Sequence, residues 1–194
     1  MVLATAYFPP IEFFALLAEN SVVYLEACEH YQKQSWRNRC RILTANGPMD
    51  LRLPVVHGKD LYHTPVSEVE LDYSTPWVAQ TEYAIDSAYY SSPFFEYYRD
   101  ELFSILNSCP RTLWELNLLL IDFFCRKIGI APRILPTERF EGVGREIHPK
   151  RPSGYVGRPY WQVFKEKFGF VPNLSVMDLL FNEGPESLSF LLEA

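Results

Sequence analysis

Apolar positions along the chain change period several times, and each change marks an element. "LATAYFPP" is a continuous apolar run ending at Pro9 and Pro10, which reads as a short buried strand. Proline is tolerated in the first helical turn, where its missing N–H costs nothing. "PPIEFFALLAEN" then places Ile11, Phe14 and Leu17 or Ala18 on one helical face, with Asn20 as the stop. "SVVYLEA" is again near-continuous, as expected of a strand buried on both faces. Strand, helix, strand predicts a βαβ unit with parallel strands and a right-handed crossover. Ligands of such sheets tend to sit beyond the carboxyl ends of the strands. Glu26, Cys28, Glu29 and His30 follow at that kind of place.

The next stretch, "RNRCRILTANGPMDLRLPVV", predicts a hairpin. Asn46-Gly47 suits a type I′ turn, whose two central residues both need positive φ. Three helices follow. One is preceded by Ser74 or Thr75 and Pro76, one by Ser92 and Pro93, and one has a Thr112/Glu115 capping box and a Gly129 stop. "APRIL" predicts a short strand, and residues 137–159, rich in Gly, Pro and charge, predict a long loop. "PYWQVFKEKFG" reads as a helix ending at Gly169. "NLSVMDLLFNEG" reads as another, with Ser175 and Asp178 as its N-terminal capping pair and Asn182 near its C-terminal stop at Gly184. The pattern predicts an α/β fold over residues 1–194: a single domain with a short, mainly parallel sheet, a β-hairpin and several packed helices.

Composition narrows the partners. The chain has 194 residues, 48% hydrophobic and 15% aromatic, enough for one sizeable core and too apolar for disorder. Its formal charge of −6 lacks the cation excess that neutralises phosphates, so a general nucleic-acid binder is not expected. A local basic pocket remains compatible with that charge. The longest apolar segment, "LWELNLLLIDFF", is too short and too polar for a membrane span, and the first residues lack a signal-peptide pattern. Cys28, Cys40, Cys109 and Cys125 form no CxxC pair, which reads as reduced thiols in a cytoplasmic protein. His30, His57, His63 and His148 are scattered, so no metal is expected. Neither GxGxxG nor GxxxxGK[ST] occurs, so no cofactor is expected either.

Candidate chemistry concentrates in "CEHYQKQSWRNRCRI". Arg37, Arg39 and Arg41 recur at period two, which on an extended strand puts three guanidinium forks on one face. Such forks suit phosphate or carboxylate. The plainer alternative is a solvated face paired with acids such as Asp50 or Glu29. Glu26 and Glu29, at a strand end, are the candidate general bases. Their plainer reading is an ion pair with Lys33 or an arginine.

At this point the residues resemble a known family. "AYFPPIEFFALL", "YLEACEHYQKQSWRNRCRI", "NGPMDLRLPVV" and "FGFVPNLSVMDLLFNEGP" together are similar to the WbqC-like protein family, over nearly the whole chain and in the family's order. The form looks like a Bacteroidetes-type branch. The resemblance implies a bacterial cytoplasmic protein linked with surface-polysaccharide or O-antigen genes. It also implies an acyl- or aminoacyl-transferase acting on an amino sugar or nucleotide sugar. Residue by residue, it carries over Gln32, Lys33, Trp36, Arg37, Asn38, Arg39, Asp178 and Asn182 as contacts for an anionic small molecule such as a nucleotide sugar. Several family features are absent. The His/Gln-Pro-x-Tyr-x-Pro-Trp opening is "TAYFPPIEF" here, Asp-Asp is replaced by Glu26-Ala27, and a His-Trp pair by Gln80-Thr81. A C-terminal segment with a Leu-Ser-Gly piece is replaced by the loop from Glu141 to Arg158. Those departures keep a second reading open: a non-catalytic partner or ligand-binding protein of a polysaccharide pathway.

Overall fold

Pro10 fixes where the first helix begins. It stands at φ −65° in the extended region as the N-cap of α1 (Ile11–Glu19), and Asn20 closes the other end. In the computed structural model of the protein, residues 1–58, 60–151 and 153–193 are described. The strands flanking α1, β1 (Val2–Ala4) and β2 (Val22–Glu26), pair in parallel with Leu3 opposite Leu25. β5 (Arg133–Pro136) adds to the far side of β2, also parallel, with Tyr24 opposite Leu135. The order is β1-β2-β5, the short parallel sheet that the sequence pattern predicts.

One expectation for β2 fails. Val23 and Leu25 are fully buried, but Val22 and Tyr24 are 39% and 40% exposed. Successive side chains of a strand point to opposite faces, and only one face of this narrow sheet rests on the core.

The hairpin pairs β3 (Arg39–Thr44) with β4 (Gly47–Arg52), Cys40 opposite Leu51. Its turn is not type I′. Thr44 pairs with Gly47, so the central residues are Ala45 and Asn46, and the positive φ falls on Gly47 alone at +105°. Thr44 Oγ1 accepts from Asn46 N–H and donates to the Gly47 carbonyl, holding the turn locally.

Three long helices supply a large share of the core: α2 (Trp77–Tyr89), α3 (Phe95–Asn107) and α4 (Leu113–Ile128). α4 carries the predicted capping box. Glu115 N–H donates to Thr112 Oγ1, Thr112 N–H donates to Glu115 Oε2, and Gly129 stops the helix at φ +88°. The serine caps do not form. Pro76 and Phe94 occupy the N-cap positions, with no side-chain cap at either. The aromatic runs interlock these helices. Phe124 meets Phe8 and Phe14 edge-on, and Phe181 meets Tyr89 and Phe95 at 5.1 Å.

No described residue from Thr137 to Pro159 belongs to a helix or strand. The helix expected over "PYWQVFKEKFG" shrinks to one turn, α5 (Lys165–Phe168), stopped by Gly169. α6 (Val176–Glu183) and α7 (Ser187–Leu192) complete the chain. The approach to α6 runs beside the approach to α1. Ile11 N–H donates to the Leu174 carbonyl, Val176 N–H to the Pro9 carbonyl, and Glu12 N–H to Asn173 Oδ1.

Gly184 ends α6 at φ +52°, where an added Cβ would lie 2.6 Å from the ring of Phe94. The clash reaches the ring's Cγ, next to a backbone held by the Phe94 N–H bond to the Phe181 carbonyl, so the ring has little room to swing clear. Gly184→Ala is therefore expected to lose about 2–3 kcal/mol in urea unfolding, from left-handed strain plus overpacking. A loss below about 0.5 kcal/mol would show that the junction relaxes.

Candidate functional site

The three-arginine strand face does not exist, because the strand starts two residues later than its period suggests. Trp36–Asn38 forms a single 3-10 turn, and only Arg39 and Arg41 lie on β3. Arg37 turns inward. Its Nε donates to Glu29 Oε1 at 2.7 Å and its Nη2 to Glu29 Oε2 at 2.5 Å, and both residues are buried. Burial pushes the Glu29 carboxyl up, against the lowering by the bonds and charge of Arg37. The turn is held on every side. Trp36 O accepts from Tyr7 N–H, Arg37 O from Asn117 Nδ2 of α4, and Asn38 exchanges backbone and side-chain bonds with Leu53.

The two strand arginines converge on Asp50 of β4. Arg41 Nε donates to it at 2.7 Å and Arg39 Nη1 lies at 3.6 Å. Beyond Arg39 opens a groove of about 720 Å³ between the hairpin, the segment from Tyr31 to Asn38, and the start of α2. Lys33, Arg39, Arg52 and Lys150 line it, together with His57, and no carboxylate lines it among the described residues. Tyr31 and Tyr62 stack at 6.4 Å on one side, with Lys33 Nζ over the Tyr62 ring. Burial pushes the Tyr31 hydroxyl up to about 12, so it stays neutral.

Three buried polar atoms of the groove's lining residues have no hydrogen-bond partner: Asn38 Oδ1, Arg39 Nε and Trp77 Nε1. Buried polar groups left unpaired cost about 1–3 kcal/mol each. Gln34, at the rim, holds a positive φ of 57° and accepts from Lys150 Nζ of the long loop. A non-glycine residue in that region is strained, and such strain gathers at functional sites.

The other predicted residues lie elsewhere. Gln32 is exposed, and its carbonyl accepts from Ser35 Oγ. Trp36 is buried beneath Arg41. Glu26 is fully buried at the end of β2 and receives four donors: Thr137 Oγ1 and the N–H groups of Cys28, Glu141 and Gly142. Burial raises its pKa, but those bonds outweigh burial and hold the carboxyl below its usual range. Every strong acceptor position is used, so Glu26 ties the long loop to the sheet.

Asp178 and Asn182 face the core on α6, away from the groove. Asp178 is not a cap. Its Oδ2 accepts from Tyr160 Oη at 2.6 Å and from Gln162 Nε2 at 2.9 Å. Asn182 Nδ2 donates to the Asp178 carbonyl. Thus Lys33, Asn38 and Arg39 share the groove, Glu29 and Arg37 form its backing, and Glu26, Asp178 and Asn182 stand apart. Arg52, His57, Tyr62, Trp77 and Lys150 escaped sequence reasoning.

All four cysteines are free, with Cys40 and Cys125 buried. His30 and His63 meet edge-on at 5.9 Å, outside the groove's lining. Among the described residues, no group of three or more His, Cys, Asp or Glu could hold a metal, and no helix is long and apolar enough to cross a membrane.

An α/β protein with a hairpin-walled basic groove is the class this geometry defines. By sequence the chain belongs to the WbqC-like protein family, whose model matches residues 5–150. That span contains every groove-lining residue and stops short of Asp178 and Asn182. The chain is similar to the uncharacterised protein Rv1507c of Mycobacterium tuberculosis (strain ATCC 25618 / H37Rv), 26% identical over 225 residues, covering 98% of this chain and 96% of the relative. No solved structure matches significantly.

Arg37→Met would strand the Glu29 carboxylate in the interior and is expected to cost about 3–5 kcal/mol in urea unfolding. Glu29→Leu combined with Arg37→Met should recover most of that loss. A single variant as stable as the wild type would mean that the pair is dispensable.

Burial raises the Asp178 pKa to about 6, against the hydrogen bonds that lower it. A raised acid binds its proton more tightly in the folded state. Its contribution to stability is complete below the unfolded pKa near 4 and disappears as pH rises through about 6, a loss of about 3 kcal/mol. Relative to wild type, Asp178→Asn should gain stability by that order between pH 4 and pH 7.5. A constant difference across that range would place the ionisation of Asp178 elsewhere.

Proposed function

We propose that the groove binds an anionic small molecule, a nucleotide sugar or a related phosphorylated sugar. In this reading the protein is a cytoplasmic acyl- or aminoacyl-transferase of bacterial surface-polysaccharide synthesis, in a Bacteroidetes-type form of its family. One observation carries the anion: four cationic side chains line the groove and no carboxylate lines it among the described residues. Such a cavity in an acidic protein focuses field lines and concentrates anions. In the transfer, the acceptor amine attacks the acyl carbonyl, the bond from the acyl carbon to its leaving group breaks, and the amine proton passes to a base. Glu29 sits behind the groove on Arg37 and Glu26 stands apart from it, both with their oxygens already engaged. His57, which lines the groove, belongs to the residue type that most often serves as general base.

The second reading, a ligand-binding partner protein without catalysis, has one observation in its favour. Gln80, which stands where the resemblance expects a histidine, lines the groove and cannot transfer a proton there.

The test is calorimetric titration and thermal shift with pyrophosphate, nucleoside diphosphate sugars and acyl-coenzyme A esters, on wild type and on Arg39→Ala plus Arg52→Ala. At about 100 times its Kd, a ligand adds about 2.7 kcal/mol of stability. The expected result is binding of a diphosphate class, weakened at least about tenfold in the double variant. Binding that survives the double variant, or none from any anion, would overturn the groove as an anion site. Acyl transfer to an amino sugar, lost in His57→Gln with affinity kept, would separate the two readings.

A further inference from the structure

Lys33, Arg39, Arg52 and Lys150 can only donate hydrogen bonds, and no carboxylate lines the groove among the described residues. That lining suits a ligand made mostly of acceptors. A sugar hydroxyl brings a donor of its own and asks for an acceptor in return, whereas an ionised phosphate or a base carbonyl only accepts.

The hairpin sets where phosphates belong. Arg39 and Arg52 stand directly opposite each other in the β3-β4 register, so their side chains leave the same face of the hairpin. Like charges in that relation repel. Asp50 lies 3.6 Å from Arg39, but Arg52 is exposed and pairs with no acid among the described residues. An anion between the two guanidinium groups removes the repulsion and engages both forks.

Tyr62 supplies a second kind of contact. It stands in the short helical turn Leu61–His63, which is pinned by the buried Leu61 and by Tyr31 N–H donating to the Thr64 carbonyl. A single exposed tyrosine is ordinary on a protein surface. This one lines the groove, is 47% exposed, and has the buried Tyr31 ring beside it at 25° between planes. The wall of the groove therefore carries a held, solvent-facing aromatic surface. Lys33 Nζ lies 5.4 Å from its centre. Lys33 is exposed, and its flexible stem lets the ammonium give way to a flat ring and turn to a phosphate. A volume of about 720 Å³ is of the size that small-molecule sites have.

Resting on the reading of the groove as an anion site, we propose that its ligand is a nucleoside diphosphate, the phosphates held between Arg39 and Arg52 and the base stacked on Tyr62. The site thereby selects nucleotides over sugar phosphates that lack a base.

Isothermal titration calorimetry with pyrophosphate, glucose 1-phosphate, uridine diphosphate and adenosine diphosphate, on wild type, Tyr62→Ala and Tyr62→Phe, reads the base contact. On the wild type, the tighter nucleotide should exceed both pyrophosphate and glucose 1-phosphate by at least about fivefold, the gain from stacking one base. Tyr62→Ala should erase that margin and change pyrophosphate affinity less than about twofold, since pyrophosphate has no base to stack. Tyr62→Phe should keep the margin, because the ring remains. The side chain is nearly half exposed, so circular dichroism should be unchanged in both variants. A nucleotide no tighter than pyrophosphate or glucose 1-phosphate, a margin that survives Tyr62→Ala, or one lost in Tyr62→Phe would overturn the base contact and leave the anion site standing. If none of the four binds, the anion site itself fails, and the nucleotide with it.

Discussion

The ion pair between Arg37 and Glu29 sets the position of everything near it. A guanidinium and a carboxylate can enter the interior together only if each satisfies the other, and here two parallel bonds do so. The pair ties the segment after β2 to the turn that starts the hairpin. The same turn receives Tyr7 from the β1–α1 connection and Asn117 from α4. Sheet, hairpin and central helix therefore meet over three residues, Trp36 to Asn38. The groove opens directly beside them, so its inner wall is anchored to a densely bonded turn, which suits a site that has to hold its donors in place.

The electrostatics of the groove follow from how the acids are spent. The chain carries more acids than bases, yet those nearest the arginines are used as backing: Glu29 on Arg37, and Asp50 on Arg41 and Arg39. Glu26 is consumed by four donors and Glu12 by Arg145 and Asn173. The first two pairings neutralise the acids closest to the cavity, and Glu26 and Glu12 are not among its lining. Lys33, Arg52 and Lys150 are left to set its sign. An acidic protein thereby carries a basic site without a basic surface.

How much of this was legible in the sequence depends on whether the signal was local. The βαβ opening, the hairpin, the Thr112/Glu115 box and the Gly129 stop are set by neighbours a few residues apart, and all four form. The period-two arginines misled because a period is informative only inside the element it assumes, and Trp36–Asn38 is a turn. Val22 and Tyr24 read as buried because an apolar run does not say how many layers cover it. Asp50 and Glu29 were named as counter-charges for the arginines, and both pairings occur. Trp77, Arg52 and Lys150 reach the groove from three distant parts of the chain, which no local pattern encodes.

The seam between residues 9–12 and 173–176 joins positions 161 residues apart along the chain. Loop closure on that scale is slow compared with helix formation. A ribosome adding about 5–20 residues per second needs on the order of ten seconds or more to deliver the second strip after the first. Through that interval Phe13, Phe14, Leu16 and Leu17 lack part of their final cover. α6 and α7, arriving with the second strip, complete the core around α1.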